Sequence, residues 1–416
     1  MQEFFHWKGS YGIAIITALM MGSGSAAARD TAAPGDTETA AQEKAPEPEE
    51  QGEAQEEAPA EAEEKKESSW TDHLKLKGDL RYRFEIIDKE EKDLRYRHRI
   101  RARIGLHAKV VEDLNAVVQA GTGGADDPVS NNQTLTEAFS SKPLWLDLAY
   151  FDYGPSWAEG LHLIGGKHKY QFYKVGKTEL LWDPDLNPEG LSLSYKNRFD
   201  MVEPFITGVG YFVDERKADD DTWLMAAQAG VKFNFLDDDL YVLAGGGYYD
   251  YLNLSGMALL WAPEDSFGNT TISEVDDEGN TVLLYANDYN EAEGFVEIGG
   301  KLAGYPWAVF GDYVVNTDLS SNNTGWLCGA SFGKLKEDLD FWLRYIYREV
   351  ESDAVVGIFT DSDFKGGGTD GKGHEGNVFF QPVRHVQTGV TYFYNQTTLE
   401  DLKYYHRAQI DLKLKF

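Results

Sequence analysis

The feature that most constrains the fold is a run of arginines at every second position, comprising Arg95, Arg97, Arg99, Arg101 and Arg103. Because side chains of a β-strand point alternately to opposite faces, this spacing places all five guanidinium groups on one face. The positions between them are mostly apolar. A helix would scatter both sets around its circumference, so the period of two excludes a helix here.

The same alternation recurs and predicts sixteen strands between residues 70 and 416. Long and short connections alternate between these strands, and the longest are 124–142, 170–189, 253–290 and 351–371. An even number of antiparallel strands with alternating loop lengths is typical of outer-membrane barrels, whereas a soluble sandwich gives no reason for it. We therefore expect an all-β transmembrane antiparallel barrel of about 16 strands around a water-filled lumen.

Two segments of different character precede the expected barrel. Residues 1–28 have the pattern of a secretory signal peptide, because Lys8 precedes a short apolar stretch that ends in small residues. Residues 29–69 are rich in Ala, Glu and Pro and cannot bury enough apolar surface to fold. We expect 29–69 to be a disordered acidic segment in the periplasm and 70–416 to form the barrel.

The last predicted strand alternates apolar and polar residues up to the final aromatic residue; its apolar positions include Ile410, Leu412, Leu414 and Phe416. This pattern resembles the C-terminal assembly signal of outer-membrane barrels. It predicts outer-membrane lipid and the barrel-assembly machinery as partners. With an even number of strands, both termini are expected in the periplasm.

Two loop segments extend the interpretation to a family. The segment 180–190 reads LLWDPDLNPEG, and the segment 359–374 reads FTDSDFKGGGTDGKGH. Together with the alternating strands and the terminal Phe416, they resemble the putative porins of Gram-negative outer membranes. The resemblance covers about residues 74–416. It implies a general-porin-like diffusion channel of sixteen strands in the outer membrane, assembled as a homotrimer.

The resemblance also implies a constriction. In general porins the third long connection folds into the barrel, and here that connection is 170–189. Its acidic residues, Glu179, Asp183, Asp185 and Glu189, are the candidate constriction residues. The alternative is an external loop with ordinary surface charge.

Basic residues of three strands are expected to share one wall of the pore, because the first and last strands of a closed barrel are neighbours. The expected pore-lining residues are Arg81, Arg83, Arg95, Arg97, Arg99, Arg101, Arg103, Arg407 and Lys413. The arginines favour anions, whereas the acidic loop and the acidic chain favour cations, so ion preference stays open. We expect passive diffusion of ions and small hydrophilic solutes. A selective phosphate or carboxylate channel and a structural or adhesive barrel are the alternatives.

Other classes of function find little support. The formal charge of −31 argues against nucleic acid as a partner. Loops 183–190 and 361–374 are acidic, but Pro188 and Ser194 stand where a helix–loop–helix calcium site needs Gly and Glu, so no metal or cofactor is expected. The sequence contains neither G-x-S-x-G nor H-E-x-x-H, which argues against an enzyme. Cys328 is the only cysteine, and its apolar neighbours predict an inert, buried thiol.

Overall fold

The structure is a computed structural model that describes residues 70–416, except 125–126, 218 and 277–278. The predicted signal peptide (1–28) and acidic segment (29–69) lie outside the described residues. Within the described part of the chain, no helix is both long and apolar enough to cross a membrane.

The alternating segments form a closed antiparallel barrel. A seventeen-stranded sheet of the described residues consists of sixteen barrel strands and the two-residue β4 (Gln133–Thr134), so the prediction of a sixteen-stranded barrel is confirmed. The barrel strands are β1 (Leu74–Lys89), β2 (Arg95–Val111), β3 (Leu114–Gly121), β5 (Trp145–Tyr153), β6 (Leu161–Lys167), β7 (Glu189–Lys196), β8 (Val202–Asp214), β9 (Thr222–Phe235), β10 (Leu240–Leu252), β13 (Tyr289–Leu302), β14 (Tyr305–Asn316), β15 (Thr324–Gly333), β16 (Asp340–Val350), β17 (Gly371–Val383), β18 (Val386–Thr397) and β19 (Lys403–Lys415). A separate hairpin joins β11 (Thr271–Val275) to β12 (Thr281–Tyr285).

The first and last strands close the barrel by pairing with each other. Arg83 of β1 lies opposite Asp411 of β19 in this register. Gly78 and Phe416 exchange two backbone hydrogen bonds of 3.0 and 3.1 Å. Connections alternate between a long-loop end and a short-turn end of the barrel, and the start of β1 and the end of β19 both lie at the short-turn end.

Apolar side chains cover the outer face of the barrel. Leu80, Tyr82, Ile104 and Leu106 are each 43–47% exposed. Leu412, Leu414 and Phe416 of the terminal segment are exposed in the same way. A continuous apolar band of this kind is stable only against lipid.

Cys328 lies on this outer face and is exposed, so the prediction of a buried thiol is wrong. The adjacent Leu327, which points inward, is only 2% exposed. An apolar stripe along a strand packs equally well against lipid or a protein core, and for Cys328 the stripe faces outward.

An apolar core fills part of the barrel interior. Four long connections contribute to it, namely the one between β3 and β5 through Val129, loop 168–188, loop 253–288 and loop 351–370. Their buried residues pack against inward side chains of β8–β16; the core includes Phe172, Leu180, Trp182, Leu254, Val355, Ile358, Tyr249, Phe310, Val314, Leu327 and Ile346. The inward faces of β1, β2 and β17–β19 lie outside this core and are mostly polar.

Candidate pore constriction

The nine predicted basic residues lie together on the inward face of β19, β1 and β2. We call this surface the charged grid, because strand register arranges it in five rows across the three strands. From the long-loop end, the rows are Arg407–Ile87–Arg95, Gln409–Glu85–Arg97, Asp411–Arg83–Arg99, Lys413–Arg81–Arg101 and Lys415–Asp79–Arg103. The grid follows directly from the period of two in the three strands and from barrel closure.

Carboxylates within the grid neutralise many of its cations. Arg83 donates two hydrogen bonds to Asp411, of 2.7 and 2.8 Å. Asp79 accepts from Arg103 at 2.7 Å and from Arg101 at 3.0 Å. Such bidentate and shared guanidinium–carboxylate pairs are among the strongest polar contacts in proteins.

Glu85 is a second shared acceptor of the grid, nearer the long-loop end. It is fully buried, accepts from Arg407 at 2.6 Å and also pairs with Arg97. The grid is therefore a network of alternating charges, and its net basic character is smaller than the run of arginines alone indicates.

Loop 168–188 lies inside the barrel and reaches the grid through Asp185. The Asp185 carboxylate lies 3.2 Å from Arg101 and 3.4 Å from Arg103. These guanidinium groups hold the pKa of Asp185 below its usual range despite burial. The predicted acidic loop and the predicted arginines thus meet directly across the lumen.

The opposite side of loop 168–188 is fixed to the barrel wall by hydrogen bonds. Glu297 accepts from the backbone N–H of Gly176 at 2.7 Å. Gly176 has a φ of 54° within a one-turn 3₁₀ segment, and a side chain there would collide with the ring of Phe310. Arg344 donates to the carbonyl of Lys177 at 2.7 Å. These contacts hold the loop in one position across the lumen.

Loop 351–370 also folds inward, which the sequence analysis did not predict. Its Asp363 carboxylate pairs with Arg83 at 3.0 Å and with Arg407 at 2.7 Å. Both cations hold the pKa of Asp363 below its usual range. The signal that could have indicated this was the pair Asp361 and Asp363, which has the same alternating spacing as the acids of loop 168–188.

The two inward loops are bonded to each other. The backbone N–H of Asp183 donates to the carbonyl of Phe359 at 2.8 Å. Ser362 donates to the Asp183 carboxylate from its hydroxyl at 2.9 Å and from its backbone at 3.1 Å. Thr360 donates to the carbonyl of Leu180 at 2.7 Å. The segments 180–190 and 359–374, which carried the family resemblance, therefore meet inside the lumen.

Glu189 does not join the other candidate constriction residues. It begins β7, and its carboxylate accepts from Lys167 of β6 at 2.9 Å with 61% of the side chain exposed. Its position is set by sheet pairing, since Lys167 lies directly opposite it. The prediction that Glu189 belongs to the inward acidic cluster is wrong, because β7 begins at this residue and sheet pairing fixes its side chain beside Lys167.

Three carboxylates converge where the inward loops meet. Glu179, Asp183 and Asp361 have oxygens within 4.8 Å of one another, which makes them the one group among the described residues close enough to share a metal ion. Burial raises the pKa of Glu179 and of Asp183 well above their ordinary values. Arg348 already pairs with Asp361 at 2.8 Å, and the Ser362 hydroxyl already donates a hydrogen bond to Asp183. The cluster is thus suited to retaining protons above the pH range in which carboxyl groups ordinarily ionise.

A buried serine–histidine contact lies beside the constriction. The Ser192 hydroxyl is 3.3 Å from Nε2 of His168, and Nδ1 of His168 lies 2.7 Å from the carbonyl of Lys169. Both side chains are fully buried. Ser192 also lies 2.8 Å from the hydroxyl of Tyr211, so among the described residues the pair belongs to a buried hydrogen-bonded contact.

Two cavities of the described residues are lined both by the charged grid and by the inward loops. The long-loop cavity has a volume of about 690 Å³ and is lined by Arg95, Arg97, Arg99 and Arg407. The mid-barrel cavity has a volume of about 470 Å³, and its lining includes Arg81, Arg101, Arg103, Lys413 and Asp185. Ser362 and Asp363 line both cavities and therefore lie between them.

A family model described as "Putative porin" matches residues 87–296 and 301–416. A search of curated protein sequences found no match. Solved structures with a similar fold include OmpF of Salmonella typhi in complex with daunomycin, which is 13% identical with a TM-score of 0.49 over 84% of this chain and 99% of that one. OprB of Pseudomonas putida is 11% identical with a TM-score of 0.49 over 82% and 94%. The trimer form of OmpT of Vibrio cholerae is 14% identical with a TM-score of 0.45 over 83% and 100%.

Proposed function

The chain belongs to the putative porin family, whose members are outer-membrane channels, and from this premise we propose that its lumen conducts ions and small hydrophilic solutes by passive diffusion. The observation that carries the proposal is the charged grid, which faces two inward loops across a polar lumen. Buried charges are costly in a sealed protein interior, whereas a wet lumen can hydrate them. We propose no enzymatic activity and no cofactor.

The proposed constriction is the stretch of the lumen along which Asp363, nearer the long-loop end, and Asp185, nearer the short-turn end, contact the grid. Along this stretch loop carboxylates lie about 3 Å from arginines, so charged groups set which solutes pass. Apolar solutes are disfavoured there, because they would have to separate these groups without hydrating them.

Planar-bilayer recording of the purified protein tests the proposal. A diffusion channel gives discrete conductance steps in potassium chloride, and a salt gradient gives a reversal potential that reports its ion preference. A structural or adhesive barrel would give intact insertion without steps. That result would reject the diffusion function while leaving the fold unaffected.

We propose that the chain assembles as a homotrimer, and the support is a low stretch of barrel wall. Strand β6 has seven residues and its neighbours β5 and β7 have nine and eight. Seven residues rise about 23 Å along a strand and about 16 Å when tilted by 45°, less than the apolar band of about 25 Å in outer-membrane barrels. Exposed Leu163, Leu191 and Leu193 face outward on this stretch.

A second copy of the chain is suited to cover the low wall, because lipid alone would leave polar strand ends at membrane depth. The particle mass in mild detergent tests this assembly. A mass of three chains is expected. Leu191→Arg and Leu193→Arg together should dissociate it, whereas the outward Val390→Arg, on a longer strand, should not. A monomer that is stable in both detergent and lipid nanodiscs would contradict the proposal.

We also propose that residues 1–28 direct export, that 29–69 extend into the periplasm as a disordered segment, and that both termini lie there. The C-terminal residues Ile410, Leu412, Leu414 and Phe416 would engage the barrel-assembly machinery. Protease added to intact cells should spare a tag placed in segment 29–69 and cut one placed near 276–280 in loop 253–288. The reverse pattern would contradict the orientation.

A further inference from the structure

We propose that one row of the charged grid, Lys413–Arg81–Arg101, is a binding site for a small oxyanion, either a carboxylate or a phosphate. The inference rests on the proposed function and deepens it, because it names a solute class that the lumen would retain. The site belongs to the mid-barrel cavity, whose lining includes all three cations.

This row differs from the other four in its charge. It places three cations directly opposite one another on adjacent strands and contains no carboxylate. The rows on either side contain Asp411 and Asp79. Like charges directly opposite in a sheet repel, so the row needs anionic compensation from outside it.

The neighbouring carboxylates compensate the row unequally. The charge of Arg101 is compensated by two carboxylates, since it pairs with Asp79 at 3.0 Å and with Asp185 at 3.2 Å. Lys413 lies 3.7 Å from Asp411, whose two oxygens already accept from Arg83. The charge of Lys413 is therefore only weakly matched.

Arg81 is the group left without a carboxylate. Among the described residues it has none within 4.0 Å, and its contact is a hydrogen bond from Nη2 to Oδ1 of Asn132. Its Nε–H has no acceptor although the residue is only 6% exposed. The Nε–H groups of Arg99, Arg344, Arg348 and Arg407 are unpaired as well, but each of those arginines has a carboxylate partner. Arg81 lacks both, so its guanidinium has donors available for an oxyanion that enters the cavity.

The surroundings of Arg81 fit an oxyanion. A planar guanidinium presents paired N–H donors that match two oxygens of a carboxylate or phosphate. Lys413 stands opposite Arg81, with its ammonium 4.9 Å from the centre of the Phe379 ring, and supplies a second cation. Lys169, which donates to the carbonyl of Pro184 at 2.9 Å, lines the same cavity from loop 168–188. An oxyanion in this cavity would thus have cations of the grid and of the loop in its surroundings, and it would face the loop carboxylates Asp185 and Asp363, which line the same cavity.

Calorimetric titration of the purified protein in detergent with sodium phosphate, and separately with sodium acetate, tests the site. Saturable binding of at least one anion is expected, and the anion that binds with the higher affinity is the preferred oxyanion. Arg81→Gln should weaken binding tenfold or more, which is about 1.4 kcal/mol. Arg81→Lys, which keeps the charge but loses the paired donors, should fall between wild type and Arg81→Gln. Lys413→Gln should weaken binding less than Arg81→Gln does.

Arg198→Gln is the matched control, because Arg198 lies exposed at the short-turn end and pairs with Asp238. It should bind like the wild type. Folding of each variant is checked by its resistance to unfolding in cold dodecyl sulfate. Absence of saturable binding to the folded wild type, or equal binding by folded Arg81→Gln, would overturn the inference.

Bilayer recording separates this inference from the proposed function. Added anion should reduce the chloride current of the wild type and spare that of Arg81→Gln. Conductance without anion binding would reject the site and leave the diffusion function standing. Anion binding without conductance would reject the diffusion function and leave the anion site standing.

Discussion

Asp363 pairs with Arg83 of β1 at 3.0 Å and with Arg407 of β19 at 2.7 Å, so one loop carboxylate spans the seam at which the barrel closes. The same residue lies between the long-loop cavity and the mid-barrel cavity. The ion pairs that hold loop 351–370 in the lumen thus also connect the two strands that close the barrel.

Removing the negative charge of Asp185 should shift the channel toward anions. Asp185→Asn leaves Arg101 and Arg103 with one shared carboxylate, Asp79, so the positive potential at the constriction rises. The anion-to-cation permeability ratio, obtained from the reversal potential in a salt gradient, should increase about threefold. Glu189→Gln is the control, because Glu189 lies outside the constriction, and its ratio should stay unchanged. An unchanged ratio in Asp185→Asn would show that the conducting path avoids this carboxylate.

Replacing Arg97, Arg99 and Arg101 together by Gln should shift selectivity toward cations. The change removes three positive charges and leaves Glu85 and Asp185 with fewer partners. The reversal potential should move in the direction opposite to that of Asp185→Asn. If it does not move, these side chains do not face the conducting path.

The three converging carboxylates should make selectivity depend on pH. Burial raises the pKa of Glu179, so this group is protonated above its ordinary titration range and ionises only as the pH rises further. Cation preference should therefore increase with pH, and Glu179→Gln should reduce this increase. Reversal potentials at a series of pH values measure the effect. A wild-type profile identical to that of Glu179→Gln would contradict the assignment.

The raised pKa of Glu179 also makes the free energy of unfolding depend on pH. A carboxyl group whose pKa is raised by folding binds protons more tightly in the folded state, so it lowers the free energy of unfolding as the pH rises from the ordinary value to the raised one. Glu179→Gln should unfold with a weaker dependence on pH in this window.

Trp182 should anchor the inward loops. Its side chain is 4% exposed, and its ring lies nearly parallel to that of Phe359 with centroids 6.0 Å apart. Trp182→Ala should lower the free energy of unfolding by about 3–5 kcal/mol and release the contact between the loops. The unfolding temperature should fall and the current noise should rise. Trp157→Ala, at a side chain that is 78% exposed, is the control and should change neither.

Sequence periodicity predicts the strands and the inward face of the grid, because both depend only on alternation along single strands. Loop contacts are different in kind. The bond between Asp183 and Phe359 joins residues far apart in the chain, and no local pattern encodes such a pairing. The lack of a carboxylate at Arg81 is likewise not visible in the sequence, because it appears only when pairing with β19 and β2 places Arg81 between Lys413 and Arg101. Cys328 was misplaced because an apolar stripe does not distinguish lipid from a protein core.

The apolar core inside the barrel displaces the solute path from the barrel axis toward one side of the wall. Strands such as β10 and β14 have apolar outer faces, and their inner faces pack against loop side chains through residues such as Tyr249 and Phe310. A passing solute would touch only the remaining arc of wall, so a substitution's effect depends on its position around the circumference. Inward changes at Tyr249 or Phe310 should act on folding, and inward changes on β1, β2 or β19 should act on transport. Different sectors of one continuous sheet thus serve folding and transport.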